Sequence, residues 1–462
     1  MANWMGADKI RAQFSKMMSD MYQQEVPLYG DLVELVNDIN NVTLYRDTEL
    51  KEQLEKTGEL PRLSQERHGA IRLGTAQELS NMRRVFAVMG MYPVGYYDLV
   101  PAGVPVHSTA FRAIDAGSLN HSPFRVFTSL LRLELIENAE LRELAEKVLL
   151  NRQIFTDKAL ALTEKHEQQG GLDSVDAMQF VNEVLETFRW HTDAPISKDL
   201  YQALHDQHRL IADVVAFKGP HINHLTPRTL DIDLVQHSMA SRGITPKAVV
   251  EGPPRRRCPI LLRQTSFKAL QEKVIFTDQQ GSHTARFGEI EQRGIALTPK
   301  GRHLYDQLLE EARRRLGRVP DETNAIEYEQ ILQEVFNEFP DTYLELAAQD
   351  LAYFYYFPQV KIKVLQERSW KEQDLIELIQ IGKVLIEPIV YEDFLPVSAA
   401  GIFQSNLGAN GQTDYSSVSN QEIFEQCLGG KVFDEMQLYA ETQQNSIEAC
   451  LATLNQTFVS GV

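Results

Sequence analysis

Apolar and polar positions change their period several times along the chain, and each change marks a different kind of element. From residue 7 to 57 apolar residues recur at helical spacing among acids and bases, as at Leu32, Leu35, Val36 and Ile39, which predicts helices. From Arg67 the pattern shortens. "RHGAIRLG" reads as a strand, and "TAQELSNMRRVFAVMG" has the Thr start and Gly stop of a helix. "MYPVGYYDLV", "VPVHS" and "TAFRAID" are aromatic or β-branched runs set off by Pro and Gly, so the expected order is β-α-β-β-β.

Residues 122 to 217 return to helical spacing, with Ser122-Pro123 expected as a cap and first-turn proline. At His221 the strand pattern resumes: "HINHLTP", a helical "RTLDIDLVQHSMASRG", then "TPKAVVEG", "PILLRQTSF" and "HTARFGEIEQRG". This is β-α-β-β-β a second time, and short matches tie the two units together. His68 and Arg72 match His224 and Arg228 as H-x-x-x-R, and Gly90-Met-Tyr-Pro93 matches Gly243-Ile-Thr-Pro246 at the helix exits. "HSTAFRAI" (107 to 114) resembles "SHTARFGEI" (282 to 290). After Pro299 the chain reads as helix to about Glu338 and then as mixed structure. The apolar, Gly-punctuated 391–408 is a candidate pocket-lining segment, and a helical cap follows from Ser419.

The expected fold is α+β: N-terminal helices (1–60), a first βαβββ module (61–121), a helical insertion (122–217), a second module (218–298) and a mostly helical C-terminal region (299–462). The paired modules would curve into a half-barrel whose inward residues alternate along each strand.

At 462 residues the chain is long enough for several subregions, and 43% apolar with 24% charged residues is ordinary for a folded protein. A net charge of -18 argues against nucleic acid and anionic lipid as partners. The "RRR" at 255 to 257 reads as a solvated turn. Three cysteines without metal-type spacing suit a reducing compartment, and the charged N-terminus is neither signal peptide nor membrane span. The expected location is the cytoplasm.

The strand "RFGEIEQRG" (286 to 294) crowds charge into an expected sheet interior. His68 and Arg72, four apart, point to one face of an extended strand, His224 holds the same place in the second unit, and Glu289 lies on that unit's last strand. There the first unit offers Ala113 or Ile114. Two imidazoles and a carboxylate form the facial set that leaves positions open on Fe(II) for a chelating substrate and dioxygen. Glu291, on the same parity, is expected to pair with an arginine. Any one of these would more often be structural, and His107, His221 and His283 compete among twelve histidines; position in the repeat favours His68, His224 and Glu289.

"F-G-E-I-E-Q-R" (287 to 293) resembles the F-x-E-I-I-Q-R strand that carries the metal-binding glutamate of 4-hydroxyphenylpyruvate dioxygenase, of the vicinal-oxygen-chelate superfamily. Nearly the whole chain is similar to the 2-oxoadipate dioxygenase/decarboxylase family, also called hydroxyglutarate synthase. "ERHGAIRLGTAQEL", "HINHLTPRTLDID", "TARFGEIEQRGIALTPKGR" and "YEDFLPVSAAGIFQSNLG" carry the likeness. The resemblance implies Fe(II) on His68, His224 and Glu289, Arg72 gripping a substrate carboxylate, and Val397 and Ser398 lining the pocket. It implies conversion of a small 2-oxo acid, 2-oxoadipate, and O2 to 2-hydroxyglutarate and CO2 in lysine breakdown. Two rivals share the scaffold: a metal-dependent isomerase or lyase of a 2-oxo acid, and a non-catalytic ligand-binding protein.

Overall fold

The computed structural model describes residues 4–247, 249–267, 272–283, 286, 288–318, 320–359, 369–395 and 417–456. The predicted N-terminal helices are α1 (Ala7–Glu25), α2 (Leu28–Arg46) and α3 (Thr48–Lys56). β1 (Arg67–Leu73), α4 (Ala76–Val88), β2 (Tyr92–Asp98) and β3 (Val106–Arg112) follow, then α5 (Ala116–His121) and β4 (Arg125–Leu131). The α4 helix starts where the Thr75 hydroxyl accepts the Glu78 backbone N–H, and it ends before Gly90, which takes a left-handed φ of 64°.

Two expectations fail here. "VPVHS" and "TAFRAID" contribute to one strand, β3, which pairs with β4 without a break from Val106 to Phe111. The Ser122-Pro123 pair lies between the end of α5 and the start of β4 and opens no helix. β4 is buried along its whole length between two layers, so its sequence lacks the polar alternation of a half-exposed strand.

The insertion then runs as α6 (Ala139–Leu150), α7 (Asp157–Gln169), α8 (Ser174–Leu185), α9 (Lys198–Gln207) and α10 (Arg209–Val215). The second unit holds β5 (Leu225–Pro227), α11 (Ile232–Met239), β6 (Leu262–Ser266), the hairpin β7 (Glu272–Ile275) and β8 (Gln280–His283), and β9 (Glu289–Arg293). Here too Asp231 caps the helix and Gly243, at φ 73°, follows its exit. The expected strand "HTARFGEIEQRG" is thus divided between β8 and β9, and "TPKAVVEG" contributes bridges from Pro246 and Glu251 to the β6 side.

The first sheet has the order β2-β3-β4-β1-β5, with β1 parallel to β4 and antiparallel to β5. A parallel bridge, Arg228 to Glu291, joins β5 to β9, and β9 pairs antiparallel with β6. Each unit therefore places its first and last strands side by side in parallel, and the two units meet at the β1–β5 pair. This topology corrects one equivalence. Arg72 pairs with Ser129 as Arg228 pairs with Glu291, so the first-unit counterpart of Glu289 is Phe127 on β4, not Ala113 or Ile114.

Helices cover both faces of this open, curved sheet. Ile71 and Leu73 of β1 and Val126 and Leu130 of β4 pack outward with residues of α1, α4 and α8. On the concave side Ala70, Phe127 and Leu131 pack with Tyr201 and Leu204 of α9 and Ile211 and Val215 of α10. The α2 helix covers the second unit, where Ile290 joins Leu32, Leu35 and Val235.

The C-terminal region comprises α12 (Pro299–Leu316), α13 (Ala325–Phe336), α14 (Tyr343–Ala348), β10 (Phe354–Pro358), α15 (Leu375–Gln380), β11 (Val384–Pro388), α16 (Ser417–Leu428) and α17 (Glu435–Gln456). The chain leaving β11 pairs with the chain leaving β9, through Ala296 N–H to Ile389 O and Tyr391 N–H to Gly294 O. That pairing delivers residues 391–395 to the concave face. Among the described residues no helix is long and apolar enough to cross a membrane.

Candidate metal centre

The strand parity of β9 explains its charge. Ile290 faces the apolar layer under α2, while Glu289, Glu291 and Arg293 alternate with it and are all buried on the concave side. His68 comes from β1, and His224 from the residue before β5. Those strands touch because Gly69 lies against the second unit; a Cβ there would fall 2.4 Å from the Ile222 side chain.

One ligand atom from each of His68, His224 and Glu289 lies within 4.8 Å of the others, and all three residues are buried. His68 Nε2 is 3.2 Å and His224 Nε2 3.9 Å from Glu289 Oε1. That oxygen also accepts from Thr226 Oγ1 at 3.2 Å and Gln264 Nε2 at 2.9 Å. Glu289 Oε2 is buried and has no hydrogen-bond partner among the described residues. A buried carboxylate whose near neighbours are neutral donors and imidazoles calls for a cation. The donor set, two nitrogens and a carboxylate, suits a divalent transition metal, so the residues present fit the implied ion.

Behind the ligands, His68 is held at both ring nitrogens. Its Nδ1 lies 2.9 Å from Glu291 Oε2, leaving Nε2 toward Glu289. Glu291 is in turn gripped by Arg293 through bonds of 2.8 and 2.9 Å, as expected from the sequence; its ion-pair contact with His68 was not. Burial opposes a charge on His68, but the Glu291 and Glu289 carboxylates outweigh it and raise the pKa. Burial, against the pull of Glu289 and helped by the positive charges of His68 and Arg72, depresses His224 to about 4. His224 is therefore neutral near pH 7 with its lone pair available.

A buried ionic lattice fixes the strands beneath the site. Glu66 receives Arg125, Arg228 at 3.1 Å and Arg62 at 3.4 Å. Glu392 receives Arg62 at 2.7 Å and Arg125 at 2.8 Å, and Asp393 receives Arg112 through bonds of 2.6 and 2.8 Å. The neighbouring Phe394 ring stands edge-on to His68, with centroids 4.9 Å apart. The segment 391–395 thus lies against the site; Val397 and Ser398 lie outside the described residues.

Arg72 is buried, and its Nη1 donates to Asp213 Oδ2 at 2.6 Å and Asn223 Oδ1 at 2.7 Å. The competing histidines lie elsewhere. His107 packs against Tyr96 and Phe424, and His221 and His283 flank Asp213. Sequence reasoning passed over Thr226, Gln264, Asn223 and Asp213. Thr226 carried a signal, being two residues from His224 on the same strand face. Asp213, at the far end of the insertion, carried none.

Paired βαβββ units curved around a buried His/His/Glu set define an α+β scaffold with a candidate metal site on its concave face. A family model described as 2-oxoadipate dioxygenase/decarboxylase matches residues 14–406. The chain is 62% identical over 98% of its length, and 98% of the relative, to the 2-oxoadipate dioxygenase/decarboxylase of Pseudomonas putida. It is 57% identical to that of Escherichia coli, over 97% of this chain and 99% of the relative. A crystal structure of the Pseudomonas putida hydroxyglutarate synthase in complex with 2-oxoadipate aligns at a TM-score of 0.92 and 59% identity. It covers 98% of this chain and 100% of that one. The chain belongs to the 2-oxoadipate dioxygenase/decarboxylase family.

Proposed function

We propose that the protein converts 2-oxoadipate and O2 to 2-hydroxyglutarate and CO2, with Fe(II) held by His68, His224 and Glu289. The observation that carries this reading is the buried Glu289 carboxylate, flanked by two imidazoles and with one oxygen lacking any partner among the described residues. The iron would supply a site for chelating the keto acid and for activating dioxygen. Glu291 holds the His68 ring so that Nε2 is presented to the ion.

Arg72, four residues along β1 from His68, grips a substrate carboxylate; a planar guanidinium can do so through two hydrogen bonds. Phe394 and the other apolar residues of the concave face exclude water, which keeps the reacting centre from side reactions with solvent. Val397 and Ser398 complete the pocket lining in this reading. The reaction is a step of lysine breakdown and takes place in the cytoplasm, a setting compatible with the free thiols of Cys258, Cys427 and Cys450.

The deciding experiment loads Fe(II) under nitrogen, adds 2-oxoadipate and admits air. Equal amounts of O2 consumed, CO2 released and 2-hydroxyglutarate formed are expected. Turnover without O2 uptake would replace this reading with a lyase or isomerase.

A further inference from the structure

His221 and His283 lie outside the His68/His224/Glu289 set, and the carboxylate between them comes from the helical insertion. Asp213 of α10 accepts from His283 Nε2 through Oδ1 at 2.9 Å, with His221 Nε2 3.4 Å from the same oxygen, while Oδ2 receives Arg72. Behind His283, the Tyr201 hydroxyl of α9 meets Nδ1 at 2.7 Å. The Trp190 ring lies parallel to His283 and edge-on to His221.

The insertion is itself fixed to the second unit. Ala194 N–H donates to Ile275 O at 2.9 Å, Ile275 N–H to Thr192 O at 2.8 Å, and Thr277 N–H to Ile196 O at 3.0 Å. The β7–β8 hairpin therefore carries His283 to Asp213 and docks the insertion at the same time. From the other side Asn223, whose amide donates to Ala70 O of β1 at 3.1 Å, holds the same Arg72 nitrogen.

An arginine side chain has several rotatable bonds, and its fork recognises a carboxylate only in a fixed plane. The geometry points to Asp213 as a positioning residue that sets the Arg72 guanidinium for its substrate carboxylate, with α9 and α10 as its mount. This rests on the reading of Arg72 given above. The helical insertion then has a role of its own, closing the concave face of the first unit with a fixed acceptor.

The rival role for Asp213, a mere countercharge to Arg72, has the opposite sign. Removing a negative charge beside Arg72 would then strengthen its attraction for an anionic substrate. Binding of 2-oxoadipate to the Fe(II)-loaded protein, titrated under nitrogen, separates the two. Asp213→Asn is expected to weaken binding about tenfold or more, to leave iron affinity unchanged, and to add no further loss in an Arg72→Ala background. Equal or tighter binding by D213N, or a full further loss in that background, would overturn the proposal. If D213N does not fold, Tyr201→Phe decides: weaker binding supports the role and unchanged binding overturns it. Arg72→Ala binding like the parent protein would remove the Arg72 reading and this one together, whereas weak binding by R72A with normal binding by D213N would remove this one alone.

Discussion

The last strands of the two units occupy the same place in the topology and carry opposite chemistry. On β4 the concave positions are Phe127, Ser129 and Leu131, and on β9 the counterparts are Glu289, Glu291 and Arg293. The first strands diverge as well: Arg72 turns to Asp213 and Asn223, while its counterpart Arg228 bonds Glu59 at 2.7 Å and Glu66 at 3.1 Å in the ionic lattice. One unit supplies a frame that buries carbon. The other places carboxylates in a sheet, where imidazoles and arginines lie against them.

Exchanging the chemistry of the pair should give the largest effects. His68→Ala or Glu289→Ala should abolish iron binding and turnover, because two of three ligands rarely retain a metal. Iron per chain, measured by elemental analysis after desalting, should fall to background; normal content would remove the residue from the centre. Phe127→Ala, at the counterpart of Glu289, should do something quite different. The ring packs on Tyr97 and Phe394 at centroid distances of 5.3 and 5.1 Å, and its loss should lower stability by about 3–5 kcal/mol. Denaturant unfolding would show this, with iron still bound by the folded fraction.

Glu291→Gln tests the next shell inward from the sheet. The neutral side chain keeps the shape of the carboxylate while removing its charge from His68 Nδ1, so iron affinity should fall by about 10–100-fold in a protein of near-normal fold. An unchanged affinity would show that Arg293 alone is the reason for Glu291.

Much of this was legible in the chain, for physical reasons. Period-two spacing set His68 and Arg72 on one face, and the capped, Gly-terminated helices marked both units. What was hidden depended on tertiary partners. β4 read as helix because both its faces are buried, which erases alternation. The equivalence of Glu289 to Phe127 could not be seen while "TAFRAID" stood in for the last strand of the first unit. Asp213 reaches Arg72 across 141 positions of sequence, a contact that no local pattern encodes.

Acid should loosen the seam between the units before it reaches the apolar frame. Burial opposes ionisation of Glu66, but Arg62, Arg228, Arg125 and Arg293 hold its carboxyl well below the ordinary value; burial likewise opposes ionisation of Asp393, and Arg112 lowers it. Depressed folded-state values mean the unfolded chain takes up protons first as pH falls. The lattice therefore contributes its stability above about pH 4.5 and loses it below. Circular dichroism across pH 6 to 3 should show a transition that shifts upward in Asp393→Asn.

The smallest expected difference lies between the two helix exits. Gly90 and Gly243 have the same left-handed φ, so alanine at either should cost about 1 kcal/mol from backbone strain alone. Their surroundings differ. A Cβ at Gly90 would meet the Ala7 side chain at 3.2 Å and Arg11 at 3.4 Å, whereas at Gly243 no atom of the described residues lies within 4 Å. Arg11 there is fully buried, and its guanidinium donates to Met89 O and Ser122 O, so it has little room to give way. Gly90→Ala should therefore destabilise more than Gly243→Ala in parallel denaturant titrations. Equal losses would mean that the repeated glycine is required by φ alone and that the packing of α1 against the first unit yields without resistance.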